Sequence, residues 1–408
     1  MFATIDDLPR GRRILARLDL NSPVKDGEVQ DNRRFGRHVE TLRELIEDEH
    51  AVTVLAHQGR PGRDTFVSLE QHAVILEEYL GEEVRFCPET LGRTAADAID
   101  GLGHGDILVL ENVRMVEEEL ADRTPEEHAR SRLVAGLAAH TQAYVGDAYS
   151  TAHREHASIV GFPHVMPAVA GRVMEREYQA NSAIQGRSFD GSVVMVLGGT
   201  KADDLFRVIE GVSDRVDTFL LGGVIGELCL RTQGYEVGFD VDDGELFDPI
   251  WREHATEIRD LVRSYEDQLQ LPTDLAYEDG TGGRSELDVD GLSKSRDLQD
   301  IGHDTIDRYR DVIDDAAAVF VKGAVGVFED DRFSAGTVKL VEAIGESDAF
   351  SVIGGGDTSR VLDLYDLDER NYSHVSIAGG AYVRALAGES LAGVTALEAA
   401  AARMAERR

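Results

Sequence analysis

Ser351-Val352-Ile353-Gly354-Gly355-Gly356-Asp357-Thr358 joins a short apolar run to three glycines, a carboxylate and a hydroxyl. Such a run reads as a buried parallel strand that delivers backbone amides to the mouth of an α/β sheet. The glycines let the main chain approach a polyphosphate closely. Asp357 is a candidate ligand for a magnesium ion on that phosphate. Without a ligand the same residues spell only a tight strand-to-helix turn, so the rest of the chain decides between the readings.

Working outward, three more strand-like runs precede this one in the second half: Ser192 to Leu197, Thr218 to Leu221, and Ala318 to Val321. Two of them end in glycine pairs, Gly198-Gly199 and Gly222-Gly223, and the third in Lys322-Gly323. Ligands of open α/β sheets bind beyond the carboxyl ends of the strands, so this half is expected to hold a phosphate-bearing ligand. The first half repeats the alternation. Arg13 to Leu18, Ala51 to Ala56, Asp106 to Leu110 and Ala143 to Val145 read as strands, with amphipathic stretches such as Gly36 to Glu49 and Glu126 to His140 between them. The expected fold is α/β: two Rossmann-like three-layer lobes, each a parallel sheet flanked by helices. The expected division is 1–170, an interdomain helix and hinge over 171–185, 186–380, and a tail, 381–408, that packs back towards the first lobe. The polar, glycine-dotted stretch from Glu278 to Asp300 reads as a long surface connection. Its Asp288-Val289-Asp290-Gly291 has glycine at the fourth position rather than the sixth, which argues against a calcium loop. The alanine-rich end, Leu397 to Arg408, reads as a helix.

A chain of 408 residues is long for one core, and 42% hydrophobic residues suffice for packed interiors. No run of eighteen apolar residues and no signal-like start occur, so neither a membrane partner nor export is expected. Cys87 and Cys229 alone cannot make a disulfide framework, and a reducing cytoplasm fits. Seventy-seven acidic residues against 42 basic ones give a net charge of −35. This excess is spread along the whole chain, as in a folded protein living in molar salt. Nucleic acid is an unsuitable partner for such a surface.

Against that background, the cations of the first half stand out. Arg17, Arg34, His57, Arg60, Arg114, His153 and Arg154 all fall at or just past strand ends. Guanidinium groups recognise phosphate and carboxylate with paired hydrogen bonds. A single arginine in an acidic protein is most simply a surface ion pair. A set sharing one sheet edge is suited to a small polyanion. The His153-x-x-His156 spacing lacks a third ligand in frame and reads as a core or loop pair. There is no GxxxxGK[ST] loop and no GxSxG elbow.

These motifs together resemble phosphoglycerate kinase, nearly end to end. Arg17-Leu18-Asp19-Leu20-Asn21-Ser22-Pro23 is similar to that family's opening substrate loop, and Asp31-Asn32-Arg33-Arg34 to the segment whose arginine reaches the reacting phosphate. His57-Gln58-Gly59-Arg60-Pro61, Glu111-Asn112-Val113-Arg114 and Asp147 to Arg154 follow in order. Then come Leu197-Gly198-Gly199-Thr200-Lys201, Gly323 to Glu329, Gly354 to Thr358, and Ser376 to Ala381. The resemblance implies reversible phosphoryl transfer between 1,3-bisphosphoglycerate and MgADP, with Mg2+ brought by the nucleotide. It implies that Asp19, Leu20, Asn21, Arg34, His57, Gln58, Gly59, Arg60, Arg114 and Arg154 bind 3-phosphoglycerate. It places Arg34, Lys201, Gly355 and Gly379 in the catalytic set. It assigns Gly199, Thr200, Lys201, Gly222, Gly223, Lys322, Glu329, Gly354, Gly355, Gly356, Asp357 and Thr358 to ATP or ADP, with Glu329 on the ribose and Asp357 on the metal. A monomer is expected, with a dimer as the alternative, in the cytoplasm.

The departures are local. Many members carry a second lysine four positions after the catalytic one, where this chain has Leu205, and Lys322 is the candidate replacement. The family's Trp-Asn-Gly-Pro reads Val321-Lys322-Gly323-Ala324, and its Asn-Asp-Ala-Phe reads Gly146-Asp147-Ala148-Tyr149. With only five lysines, the chain suggests an archaeal, salt-adapted member. A catalytically silent relative would be expected to lose Lys201, Arg34 or Asp357, and all three are present. A dehydrogenase would need a GxGxxG turn, and none occurs.

Overall fold

Ile14, Leu15 and Ala16 have no exposed surface. A run buried on both faces suits a strand covered by helices on each side, and this one becomes the centre of a parallel sheet. The structure is a computed structural model that describes residues 1–237, 247–293 and 296–406, except the side chain of Asp357. The chain forms two compact units: residues 1–179 with 390–408, and residues 180–389.

In the first unit, β1 (Arg13–Arg17), β2 (Ala51–Leu55), β3 (Val84–Cys87), β4 (Ile107–Leu110), β5 (Ala143–Gly146) and β6 (Ala168–Ala170) pair in the order β3-β4-β2-β1-β5-β6. Every pairing is parallel. Strand order changes direction at β1, with β2 on one side and β5 on the other, and that is where a doubly wound sheet opens a crevice. Helices α1 (Arg33–Glu47), α2 (Glu70–Leu80), α3 (Arg93–Asp100), α4 (Arg132–Ala138) and α5 (Arg172–Asn181) follow the strands. The helix expected over Glu126 to His140 is broken in two. Pro125–His128 is a single turn, and α4 starts afresh where the Ser131 hydroxyl accepts the Val134 amide. A serine offering its side chain to exposed amides is a start signal in mid-segment.

In the second unit, β7 (Ser192–Leu197), β8 (Thr218–Leu221), β9 (Leu269–Gln270), β13 (Ala316–Lys322), β14 (Phe350–Gly354) and β15 (His374–Val375) make another parallel sheet, in the order β9-β8-β7-β13-β14-β15. The switch lies between β7 and β13. The stretch from Glu278 to Asp300, expected as a surface connection, instead contributes to a small antiparallel sheet, β11-β10-β12, of β10 (Asp274–Glu278), β11 (Arg284–Asp288) and β12 (Leu298–Ile301). Leu275, Ala276, Tyr277 and Ile301 bury apolar surface in it, and charge ties its partly exposed strand. Arg284 donates to Glu286 and to Asp300, and His303 stands against Glu286. Helices α6 (Ala202–Val212), α7 (Gly223–Thr232), α8 (Phe247–Ser264), α9 (His303–Asp314), α10 (Ala335–Glu346), α11 (Gly356–Leu364) and α12 (Gly380–Leu386) surround the two sheets. The last helix, α13 (Ala392–Glu406), belongs to the first unit, where Ala396 packs with Ala148, Ile159 and Val160. No helix among the described residues is long and apolar enough to cross a membrane.

Candidate active site

The crevice beside β1 gathers charge. Asp19 is 1% exposed, with one carboxylate oxygen accepting from Arg34 and from the Ser150 hydroxyl. The other carboxylate oxygen accepts the Asn21 amide at 3.1 Å. Burial alone would raise its pKa, but the Arg34 charge and these hydrogen bonds outweigh burial and hold the carboxyl well below the usual range. Arg17 is fully buried; it donates to Ser158 Oγ at 2.8 Å and to His57 Nδ1 at 3.2 Å. His57 is 4% exposed, and burial, reinforced by Arg17, Arg114 and Arg34, outweighs Asp19 and keeps the ring neutral. With His57 neutral, Arg34 is the cation that keeps Asp19 ionised.

Arg114 donates to the Gly59 carbonyl at 2.6 Å, which binds the short helical turn after β4 to the loop after β2. Its pKa is pushed down to about 10, by burial first and then by Arg17 and Arg154. Arg17, Arg114 and Arg154 therefore crowd one another, partly compensated by Glu119 and Asp19. Arg34 is half-buried on the first turn of α1, and Arg60 is exposed in the loop after β2.

Leu20 and Gln58 are turned inward. Leu20 is fully buried, and Gln58 spends its amide on Ser22, Thr65 and His72. Asn21 Oδ1 accepts the Gly59 amide at 2.8 Å, so these two residues brace each other across the two loops. Sequence reading missed Glu119, Ser150 and Ser158. Glu119 accepts from the Ser158 hydroxyl and amide, both at 2.7 Å, and that hydroxyl receives Arg17. The Glu119–Ser158, Asp19–Ser150 and Arg17–Ser158 pairs are 39, 131 and 141 residues apart along the chain, and no local pattern joins them.

In the second unit the glycine-tipped strands converge at the switch between β7 and β13. Gly198 donates to the Lys322 carbonyl and Gly199 to the Ala324 carbonyl. A Cβ on Gly198 would stand 2.1 Å from the Ala324 oxygen, so only glycine fits this approach. Lys201 is exposed at the N-cap of α6, Gly222 is the N-cap of α7, and Gly355, at φ +97°, is the N-cap of α11. A left-handed residue there turns the chain sharply enough for the α11 amides to face the sheet edge. Gly379 is the N-cap of α12.

The Thr358 hydroxyl in the first turn of α11 is buried and, among the described residues, without a hydrogen-bond partner. The Lys322 side chain passes the same turn, and its Nζ lies 3.4 Å from Asp204. Leu205 is 3% exposed in the packed face of α6. The backbone of Asp357 continues α11; its side chain, the expected metal ligand, lies outside the described residues.

Next to this edge is a cavity of about 260 Å³, with Gly199, Thr200, Gly223, Glu227, Gly326 and Glu329 in its wall. Glu329 is exposed there and pairs with Arg360 at 3.1 Å.

The phosphoglycerate kinase family model matches residues 5–389. A phosphoglycerate kinase of Halorubrum lacusprofundi is 56% identical over 98% of this chain and 99% of its own length. One of Haloarcula marismortui is 54% identical over 97% and 99%. The crystal structure of phosphoglycerate kinase from Pyrococcus horikoshii superposes with a TM-score of 0.90 at 30% identity, covering 98% of this chain and 99% of that one. With the sequence motifs, the sheet order and these likenesses in agreement over its whole length, the chain belongs to the phosphoglycerate kinase family.

Proposed function

We propose that this chain catalyses reversible transfer of a phosphoryl group between 1,3-bisphosphoglycerate and MgADP, giving 3-phosphoglycerate and MgATP, in the cytoplasm as a step of glycolysis and gluconeogenesis. The observation that carries the reading is the gathering of Arg17, Arg114 and Arg154 at one buried edge, where burial first and then the two neighbouring guanidinium groups lower the pKa of Arg114. Like charges held together under partial burial are costly, and a bound polyanion offsets that cost. The first unit accordingly takes the triose acid, with Arg34, His57, Arg60, Arg114 and Arg154 on its phosphate and carboxylate and Asp19 and Asn21 on its hydroxyl.

The second unit takes the nucleotide. Amides at the N-termini of α6, α7 and α11, with the Thr358 hydroxyl and Lys322, serve the phosphates, and the 260 Å³ cavity with Glu329 serves the nucleoside. Magnesium arrives with the nucleotide as part of the substrate. Phosphoryl transfer asks mainly for in-line alignment and neutralisation of the three equatorial oxygens. Arg34 and Lys201 supply that neutralisation, and the main chain at Gly355 and Gly379 completes the cradle. The enzyme works as a monomer, and its net charge of −35 suits molar salt.

A coupled assay of ATP-dependent acyl-phosphate formation from 3-phosphoglycerate, run in molar potassium chloride, tests the proposal. Turnover is the expected result. ATP binding without turnover would point to a silent relative and overturn it.

A further inference from the structure

The hollow assigned above to the nucleoside contains a carboxyl group that the reaction does not use. Glu227 sits on α7 one turn beyond Gly223, so the two share a helix face about 6 Å apart along the axis. The residue is 7% exposed and lines the cavity. Among the described residues its carboxyl has no hydrogen-bond partner and no ion pair. A buried carboxyl left open to a cavity is a costly arrangement unless a ligand completes it.

We propose that Glu227 sets the nucleobase preference of this enzyme: as a carboxylic acid it pairs with adenine, and as a carboxylate it turns the pocket towards guanine. The chemistry follows from the two edges. A carboxylic acid donates its O–H to adenine N1 and accepts an N6 hydrogen on its other oxygen. Turned over, the same acid meets guanine O6 and N1–H, so the neutral form discriminates little. A carboxylate accepts from both guanine N1–H and N2–H. Against adenine it keeps one bond and sets its charge against the N1 lone pair.

The surroundings decide which form is present. Burial, and then the negative charge of Asp297 just before β12, push the Glu227 pKa up to about 8. Asp300 on β12 lines the same cavity and is matched by Arg284. Glu329 at the rim is matched by Arg360. On α8, packed along α7, Asp248 is taken by Arg231, one turn past Glu227. The proton on Glu227 therefore leaves within the range where the enzyme can be assayed.

The inference rests on the nucleoside assignment of the cavity, and the test separates the two. ADP and GDP binding are measured by calorimetry in molar potassium chloride, at about pH 6.5 and about pH 8.5, for wild type, Glu227→Gln and Val327→Trp. The ratio of ADP to GDP affinity in the wild type is expected to fall by about tenfold as the pH rises, because the acid that serves both bases gives way to a carboxylate that favours guanine. Glutamine keeps one donor and one acceptor at every pH, so Glu227→Gln should hold the low-pH ratio throughout. A wild-type ratio that does not change, or a Glu227→Gln variant that keeps the swing, overturns the proposal. Val327 lines the cavity, and a tryptophan there narrows it. If Val327→Trp weakens ADP while the wild-type ratio stays flat, only the role of Glu227 fails. If Val327→Trp leaves ADP affinity unchanged, the nucleoside reading of the cavity fails, and the proposal with it.

Discussion

His38 Nδ1 stands 2.9 Å from Asp147 Oδ2, 109 residues further along the chain, and neither side chain reaches solvent. The Asp19 amide donates to His38 Nε2 at 3.1 Å, so the bonding assigns the ring proton to Nδ1, which donates to Asp147. Asp147 Oδ1 in turn accepts the Met174 amide in the first turn of α5. One imidazole thus ties the Asp19 loop to the start of a helix. His38→Ala would orphan a buried amide and leave half of a buried carboxylate uncompensated. A loss of about 3 kcal/mol is expected. Denaturant unfolding in molar potassium chloride measures it, and a loss below about 1 kcal/mol would reject the tie.

The Asp19 carboxyl gives a pH dependence with a definite sign. Its folded pKa lies below the ordinary 3.8, so its stabilisation is fully present above about pH 4 and is lost as the pH falls further, through the folded value. Arg34→Ala removes the cation that outweighs burial. Acid unfolding, followed by circular dichroism, should then begin at higher pH than in the wild type. Turnover should fall by about a hundredfold, the usual effect of removing a charge-stabilising group. An unchanged acid limb would mean that Ser150 and the Asn21 amide alone hold Asp19 ionised.

The parallel sheets were legible where their strands are continuous apolar runs, as β7 and β8 fall on the runs Ser192 to Leu197 and Thr218 to Leu221. The short strands β3, β6, β9 and β15 were not among the runs read as strands. The antiparallel sheet was not legible. β11 reads Arg284-Ser285-Glu286-Leu287-Asp288, and every residue of it keeps some exposure. Arg284 ties it to Glu286 and Asp300, a network that leaves no periodic trace in the sequence. The same limit applies to the site. Glycine tips and strand-end arginines announce themselves locally. Ser150 beneath Asp19 and Ser158 beneath Arg17 are ordinary residues until the fold brings them there. Glu227 gave no signal either, because a glutamate in a helix is commonplace until its burial is known.

Lys201 is exposed at the start of α6 and, among the described residues, has no ion pair to maintain. Lys201→Ala should leave the affinities for 3-phosphoglycerate and ADP largely intact and lower kcat by at least about a hundredfold. Steady-state kinetics with separate binding measurements decides. A mild effect on kcat would mean that another cation neutralises the phosphoryl group in transit.

The charge of −35 predicts a strong salt dependence of stability. At about 1 M salt the Debye length is about 3 Å, so repulsion between surface carboxylates is largely screened, whereas at about 0.01 M it reaches about 30 Å. The melting temperature should rise steadily with potassium chloride over that range. Arg172 bridges Asp6, Glu44 and Glu175 at the surface of the first unit, so Arg172→Ala removes a cation from three carboxylates. Its melting temperature should fall below that of the wild type by most at low salt, and the gap should narrow as salt is added. A melting temperature independent of salt would show that surface repulsion does not govern the stability of this fold.

Lys322 closes β13 beside the Gly355 turn, and its ammonium group lies 3.4 Å from Asp204. The neighbouring family lysine position is Leu205, which is packed into the α6 face and carries no charge. If Lys322 serves the nucleotide phosphates as proposed, phosphate and Asp204 compete for one ammonium group. Lys322→Ala should raise the KM for ADP by about tenfold while leaving that for 3-phosphoglycerate unchanged, an effect of about 1.4 kcal/mol. Asp204→Asn releases the ammonium and should lower the KM for ADP, and it should do so only while Lys322 is present. A double-mutant cycle measures that coupling directly. If Lys322→Ala weakens both substrates alike, the lysine supports the packing of the turn rather than the phosphates, and the charge missing at Leu205 has no replacement at this position.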